Sequence, residues 1–325
     1  MATDRKYGLL LIDKDAGPTS FNAIAGLRRL LGMKKIGHAG TLDPFATGLL
    51  TVAFGKATAA LHHLQGLDKS YDVQIRLGVG TDSGDSDGEI ISRTPVSLDV
   101  LGPGNSSLHK ALTALTGDMM QIPPMHAAVK VDGKRLYEYA REGLTVQRKP
   151  RPIHVHDITC TDIRASEAFV DIDLRMCVSS GTYVRQLAVS LGTLLGVPAH
   201  AQALRRTSVG PFSVRDAHRL EPWFDRFNAC GRDSDQFFDQ LAEEHVILPV
   251  RAAYFDLPVL QLSESETSRA LHGQRLLIEC ARVPSGVETG TEVFLDYNGT
   301  DVAVARCTDA GEWHEFAMKK VWGTL

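Results

Sequence analysis

Residues 37–50, GHAGTLDPFATGLL, place three glycines, a proline and a histidine around a single carboxylate, Asp43. Neither helical nor strand periodicity runs through 37–48, so the segment reads as a shaped loop. Glycines let its backbone turn sharply or approach a partner closely. Pro44 fixes its own φ and biases Asp43 toward an extended conformation. The apolar run 49–54 reads as a short buried strand that anchors the loop. A carboxylate presented this way is a candidate nucleophile or general base, and an acid that merely caps a turn has the same local pattern.

Other reactive side chains sit on elements that their surroundings predict. Tyr71, Val73, Ile75 and Leu77 alternate with polar residues, which predicts a half-buried strand with Tyr71 at its end. Residues 168–178 alternate in the same way. The turn 179–181 then leads into a helix with Val184, Leu187, Ala188, Leu191 and Leu195 on its apolar face and Gly196 at its end. Tyr183 and Arg185 fall in the first turn of that helix. His154 and His156 share one face of a possible strand, but with no third ligand nearby in sequence no metal site is predicted. The acidic stretch 81–88 lacks the position-three ligand and position-six glycine of a calcium loop, so it reads as a hairpin turning at Asp87-Gly88.

These groups need a scaffold. A strand over 7–12 precedes a helix with Ser20 as N-cap, an apolar stripe at Phe21, Ile24, Leu27 and Leu31, and Gly32 at its end. Further helices are predicted over about 57–67, from 109 to 116, over 137–141 and over 221–248, with linkers at 95–105 and 249–258. Residues 121–124 break the helical pattern. The segment between Met119 and Pro152 is rich in Lys and Arg, with His126, Tyr137 and Tyr139 interleaved. That composition suits either an RNA-contacting flap or a plain surface insertion. Short strands follow at 276–280, 292–297 and 301–307, and Asn298-Gly299 signals a hairpin between the last two. A small, mostly β domain is therefore placed from about 257 to 325.

With 325 residues, 43% hydrophobic and 23% charged, the chain has room for about two domains and a sizeable core. Five scattered cysteines without a CxxC pair suggest reduced thiols and a cytoplasmic location. No apolar run reaches membrane-spanning length, and the first residues do not resemble a signal peptide. The net charge of −4 gives no global sign of nucleic-acid binding, though such a footprint is local.

The loop around Asp43 resembles the signature of the TruB family of tRNA pseudouridine synthases. Matching segments run in the family's order: Lys14 with Thr19-Ser20; Lys69-Ser70-Tyr71 with Arg76-Leu77-Gly78 and Thr81-Asp82; Gln121-Ile122-Pro123-Pro124; residues 133–141; Ser180-Gly181-Thr182-Tyr183-Val184-Arg185; and Leu204-Arg205-Arg206. The resemblance spans about residues 7–210, and the C-terminal part is similar to the family's PUA-like domain. It implies an α+β fold with a mixed, largely antiparallel sheet and flanking helices. Residues 1–256 would form the catalytic domain, with an RNA-contacting insertion at about 105–152, and residues 257–325 a small β-rich PUA-like RNA-binding domain.

The implied activity is isomerisation of the T-loop uridine of tRNA. The N1–C1′ bond breaks, the base turns, and C5 joins C1′, with no redox change. Asp43, Tyr71 and Arg185 match the family's catalytic residues, and His38, Tyr71, Tyr183 and Leu204 its substrate-binding ones. Arg185 would favour the ionised form of Asp43, Tyr71 would stack on the extruded base, and His38 would fill the space the flipped nucleotide leaves. Lys14, Lys69, Lys130, Lys149, Arg205 and Arg206 are the expected RNA contacts. No metal and no cofactor are expected. The tRNA T-arm is the expected partner of a monomeric protein that needs no membrane and no obligatory protein partner. Two departures stand out: Asp15 replaces the family's usual proline, and His126-Ala127 replaces an aromatic residue followed by serine.

Three other readings were weighed. Leu9–Ile12 followed by Asp13-Lys14-Asp15 superficially resembles the start of a HAD-type phosphohydrolase, but Gly17 stands where a hydroxyl is required. An RNA-binding or tRNA-folding module without chemistry would not need Asp43, Tyr71 and Arg185 together, though tRNA-folding chaperone activity could coexist with the catalysis. Relatives that act on guide RNAs with partner proteins tend to carry basic tails, which this chain lacks.

Overall fold

A computed structural model describes residues 6–127, 129–131 and 133–322, with Tyr137 and Arg141 described by their backbone alone. The first residues, weighed above as a leader, and the side chain of Tyr137 lie outside the described set. A nine-stranded mixed sheet organises most of the chain. Its strands include β1 (Gly8–Lys14), β2 (Ile36–His38), β3 (Thr47–Phe54), β4 (Lys69–Leu77), β5 (Gly117–Gln121), β6 (Arg151–Ala165), β7 (Val170–Val178) and β8 (Ala199–Val209). The main order is β1-β3-β8-β4-β7-β6-β5, with β2 on the end of β3 and Phe212–Ser213 on the end of β8. Its ladders are antiparallel apart from β3 with β8, which run parallel through Arg205↔Thr47 and Arg206↔Gly48.

The two apolar runs in β1 and β3 are continuous because both faces of these strands are covered. Leu10, Ile12, Leu50, Val52 and Phe54 join the main core, which holds the helix Ser20–Leu30 and the helix Val184–Leu195. Leu9, Leu11, Leu49 and Ala53 face the other way, into a second core with Val250, Tyr254, Phe294 and Trp322. β4 is covered on one face only and alternates accordingly, with Tyr71, Val73, Ile75 and Leu77 buried.

A separate five-stranded sheet occupies the C-terminal part in the order Val259–Gln261, Glu292–Tyr297, Thr300–Ala310, Trp313–Val321, Leu276–Glu279. Asn298 and Gly299 have φ of 51° and 78°, the double left-handed turn that joins its two central strands. Phe294 stacks on Trp322, and both pack near Tyr254. Residues 249–258 are thus not an exposed linker: Val250, Ala253 and Tyr254 are buried in a short 3-10 turn that joins the two sheets through one core.

Three local expectations change. Residues 221–248 form two helices, Leu220–Ala229 and Ser234–Glu243, separated by a turn with Gly231 and Arg232 at positive φ, where the Asp233 side chain caps the second. Thr19, not Ser20, caps the first helix, which frees the Ser20 hydroxyl for another use. The segment 37–48 is not loop throughout, because Gly37 and His38 pair with β3. Among the described residues no helix is long and apolar enough to cross a membrane.

Gly48 shows how tightly β3 meets β8. Its φ is +100°, and a Cβ there would lie 2.2 Å from the carbonyl oxygen of Arg206. Gly48→Ala is expected to destabilise the fold by about 2–3 kcal/mol. A urea titration should show this as a lower midpoint with an unchanged slope.

Candidate active site

The backbone on either side of Asp43 is held at several points. The Ser20 hydroxyl accepts from the Leu42 N–H at 2.9 Å and donates to the Leu42 carbonyl at 3.0 Å. The Pro44 carbonyl accepts from Gly17 N–H at 2.8 Å and from Lys14 Nζ at 3.3 Å. Ala46 N–H closes a turn onto the Asp43 carbonyl at 3.1 Å. Arg206 ties the two ends of the loop together, donating Nε to Leu49 O at 2.7 Å and Nη2 to Gly40 O at 3.1 Å. The residue carrying the carboxylate therefore has little freedom to move relative to the sheet.

The Asp43 carboxylate meets Arg185 in a two-pronged pair, Nε–Oδ2 at 2.9 Å and Nη2–Oδ1 at 3.1 Å. Arg185 lies in the first turn of the helix Val184–Leu195 and is only 4% exposed. Its remaining donors reach Asp85 Oδ2 at 3.1 Å, Ser83 O at 3.1 Å and His126 O at 3.2 Å. With the pair to Asp43, these contacts give each of the three guanidinium nitrogens a protein partner. Asp85 is itself fixed, since its Oδ1 accepts from Ser83 Oγ at 2.6 Å and from Asp87 N–H at 3.1 Å.

Asp43, Asp85, Arg185 and Lys14 form a nearly neutral cluster. Burial pushes the Asp43 pKa up; Arg185 opposes this, and the nearby charge of Asp85 adds to the rise. The side chain keeps 32% of its surface, so one side stays open while protein encloses the others. Burial lowers the Lys14 pKa, against the pull of Asp43 and Asp15.

The apolar residues expected at the site lie in the main core. Tyr71, Leu42, Leu204, Val184 and Leu187 belong to one contiguous core, with Phe45 packed against it. Tyr71 and Leu204 are each 7% exposed. Tyr183 is the N-cap residue of the Arg185 helix. Burial raises its pKa and Arg151 and Arg185 oppose the rise, while Asp43 contributes to it, which places the ring's hydroxyl in the same electrostatic neighbourhood. His38 lies at the end of β2, and burial followed by Arg206 lowers its pKa, so its ring is neutral at neutral pH.

The expected RNA cations divide into two groups. Lys14, Lys69 and Arg206 face inward, at 3%, 7% and 2% exposure. Lys14 donates to the carbonyls of Asp15, Pro18 and Pro44, and Lys69 to those of Gln65 and Leu67. Burial, then Arg206, lowers the Lys69 pKa to about 8. All three direct their donors at backbone oxygens, Arg206 at those of Leu49 and Gly40. Arg205 is partly exposed and clamps Asp13 through contacts at 3.0 and 2.7 Å. Lys130 and Lys149 are exposed on the insertion. His154 and His156 each meet a carboxylate, Asp118 and Asp68, and no metal-binding group of three appears among the described residues.

Sequence reading missed two members of the site. Asp85 was absorbed into an acidic hairpin, which does form between Val79–Thr81 and Ile90–Arg93. Its inward turn depends on Arg185, a hundred residues away, and leaves no local signature. Ser20 was assigned to capping, and only the free hydroxyl left by Thr19 shows its second use. The Asp15 departure is answered by an ion pair with Arg219, and the His126 side chain comes within 4.0 Å of Asp82.

Comparisons with known proteins show the family. The model of the TruB family pseudouridylate synthase N-terminal domain matches residues 28–184, and that of the tRNA pseudouridylate synthase B C-terminal domain matches 185–253. The chain is 42% identical to the tRNA pseudouridine synthase B of Thermobifida fusca, over 83% of this chain and 86% of that one. It is 38% identical to the protein of the same name from Burkholderia pseudomallei, over 95% and 96%. A chain in the crystal structure of a Cbf5–Nop10–Gar1 complex superposes with a TM-score of 0.70 at 25% identity, covering 98% of this chain and 85% of that one. On these matches the chain belongs to the TruB family and is an RNA pseudouridine synthase.

Proposed function

We propose that this enzyme isomerises the T-loop uridine of tRNA, with Asp43 as the carboxylate that acts on the flipped nucleotide. The Asp43–Arg185 pair carries the reading: an acid on a braced loop, joined to a buried guanidinium that has a protein partner at each nitrogen. The proton that leaves C5 is balanced by one gained at N1, so the reaction needs no net donor. A water-poor site protects the cleaved intermediate. Tyr71 stacks on the base and assists at C5, while Tyr183 and Leu204 line the pocket. A neutral His38 carries no charge to desolvate when it takes the place of the flipped nucleotide. The relatives' shared name, tRNA pseudouridine synthase B, supports tRNA as the substrate.

RNA approaches from the insertion side in this reading. On the open face of the sheet the arginines already hold carboxylates: Arg205 with Asp13, Arg175 with Asp72, Arg76 with Asp171 and Arg164 with Asp173. A groove of about 510 Å³ on that face is lined by the Arg175–Asp72 pair together with Arg205, Asp173 and Leu204, and Arg185 is not among its lining residues. Lys130 and Lys149 contact the phosphates, and residues 257–325 form the PUA-like unit that extends the grip. The protein works in the cytoplasm as a monomer.

Incubation with unmodified tRNA transcript, with no cofactor added, should place pseudouridine at the T-loop uridine and nowhere else. Asp43→Asn should lose at least about a thousandfold in rate while binding tRNA normally. Loss of binding in parallel would make Asp43 a binding residue instead. Because burial raises the Asp43 pKa, its ionised form opposes folding: the favourable contribution is complete below the unfolded carboxylate value and is lost as pH rises through the folded one. Asp43→Asn should therefore remove the part of the fall in melting temperature that runs from the unfolded carboxylate value up through the folded one.

The cation at Arg185 holds the Asp43 pKa down against burial. In Arg185→Ala the acid side of the rate profile should move to higher pH, with a slower plateau. An unmoved profile would remove the electrostatic role. Affinity for tRNA should fall with salt, and Lys149→Ala should flatten that dependence by about one counterion.

A further inference from the structure

We infer that Gln121 is a positioning residue that fastens the root of the insertion to the first turn of the catalytic helix. Gln121 ends β5, directly before Ile122-Pro123-Pro124. It is 6% exposed, and its carboxamide grips both polar groups of the Tyr183 peptide. Tyr183 N–H donates to Oε1 at 2.8 Å, and Nε2 donates to the Tyr183 carbonyl at 3.0 Å. Tyr183 is the N-cap residue, and its own side chain makes no capping bond. The Gln121 amide therefore supplies from another part of the chain the restraint that a helix start ordinarily finds locally.

The same insertion touches the catalytic pair a second time. The His126 carbonyl accepts from Arg185 Nη2 at 3.2 Å, and that nitrogen also donates to Asp43 at 3.1 Å. Two anchors, five residues apart on the insertion, thus meet two residues, Tyr183 and Arg185, two apart on the helix. Moving the insertion without moving the guanidinium would strand a buried N–H. Gln121 sets the first anchor, and with it the orientation of the peptide from which Tyr183 and Arg185 project. This role rests on the reading of Arg185 and Tyr183 as active-site residues.

The test combines catalysis with a readout that needs no substrate. Gln121→Ala should slow single-turnover pseudouridine formation at saturating tRNA by about tenfold or more, and leave the tRNA Kd within about twofold. Gln121→Glu loses a donor at neutral pH and regains one when its carboxyl is protonated. Its deficit relative to the wild type at the same pH should narrow as pH falls toward the range in which that carboxyl protonates, about 4.3 for an unperturbed glutamate and higher where burial raises it. Amide exchange across residues 183–187 of the free protein should quicken about tenfold in Gln121→Ala, with distant strands unaffected. Unchanged exchange, or rate and affinity falling together, would overturn the assignment. A wild type that forms no pseudouridine would instead overturn the proposed function, and the exchange result would still decide the role of Gln121.

Discussion

One guanidinium, surrounded by protein, holds the site together. Arg185 is nearly inaccessible to solvent, and its polar contacts come from three parts of the chain outside its own helix: the Asp43 loop, the turn bearing Ser83 and Asp85, and the insertion at His126. A buried cation left short of partners is costly, so these segments are required to converge. The same requirement fixes the distance between the Asp43 carboxylate and the insertion. Asp85 shares the arginine, so Asp43 receives only part of its charge. That sharing, together with burial, keeps the acid from becoming an inert, permanently paired carboxylate.

The scaffold repeats this device with backbone in place of carboxylates. Lys14 and Arg206 are almost wholly buried and direct their donors at carbonyl oxygens flanking the catalytic loop. A cation bonded to several carbonyls fixes the path of the chain without placing another acid near Asp43. Covering β1 and β3 on both faces adds rigidity, because the strand that launches the loop is pressed between two cores. The C-terminal sheet reaches that second core through Phe294, Val304 and Trp322, so the far end of the chain supports the strand that carries the loop.

What was legible in the sequence followed from local pattern. The alternation of β4 and β7, the apolar stripe of the Arg185 helix, and the Asn298-Gly299 turn each have a period or a residue preference that survives without tertiary context. The loop around Asp43 stood out because glycine and proline mark special backbone. Burial of charge was not legible. Lys14, Lys69 and Arg206 look like surface cations by type, and their inward course depends on carbonyls that fold into range. Asp85 was hidden for the same reason. The family resemblance selected Arg185 as the partner of Asp43; spacing alone could not have paired residues so far apart.

The most direct measurement of this arrangement is the titration of the Asp43 carboxyl itself, followed by NMR with the side-chain carbon labelled, in wild type and in Asp85→Asn. With burial outweighing Arg185 and the charge of Asp85 adding to it, Asp43 should titrate above the ordinary aspartate value of 3.8, and the substitution should move it down. A wild-type carboxyl that titrates at or below that value, or one indifferent to Asp85, would contradict the account.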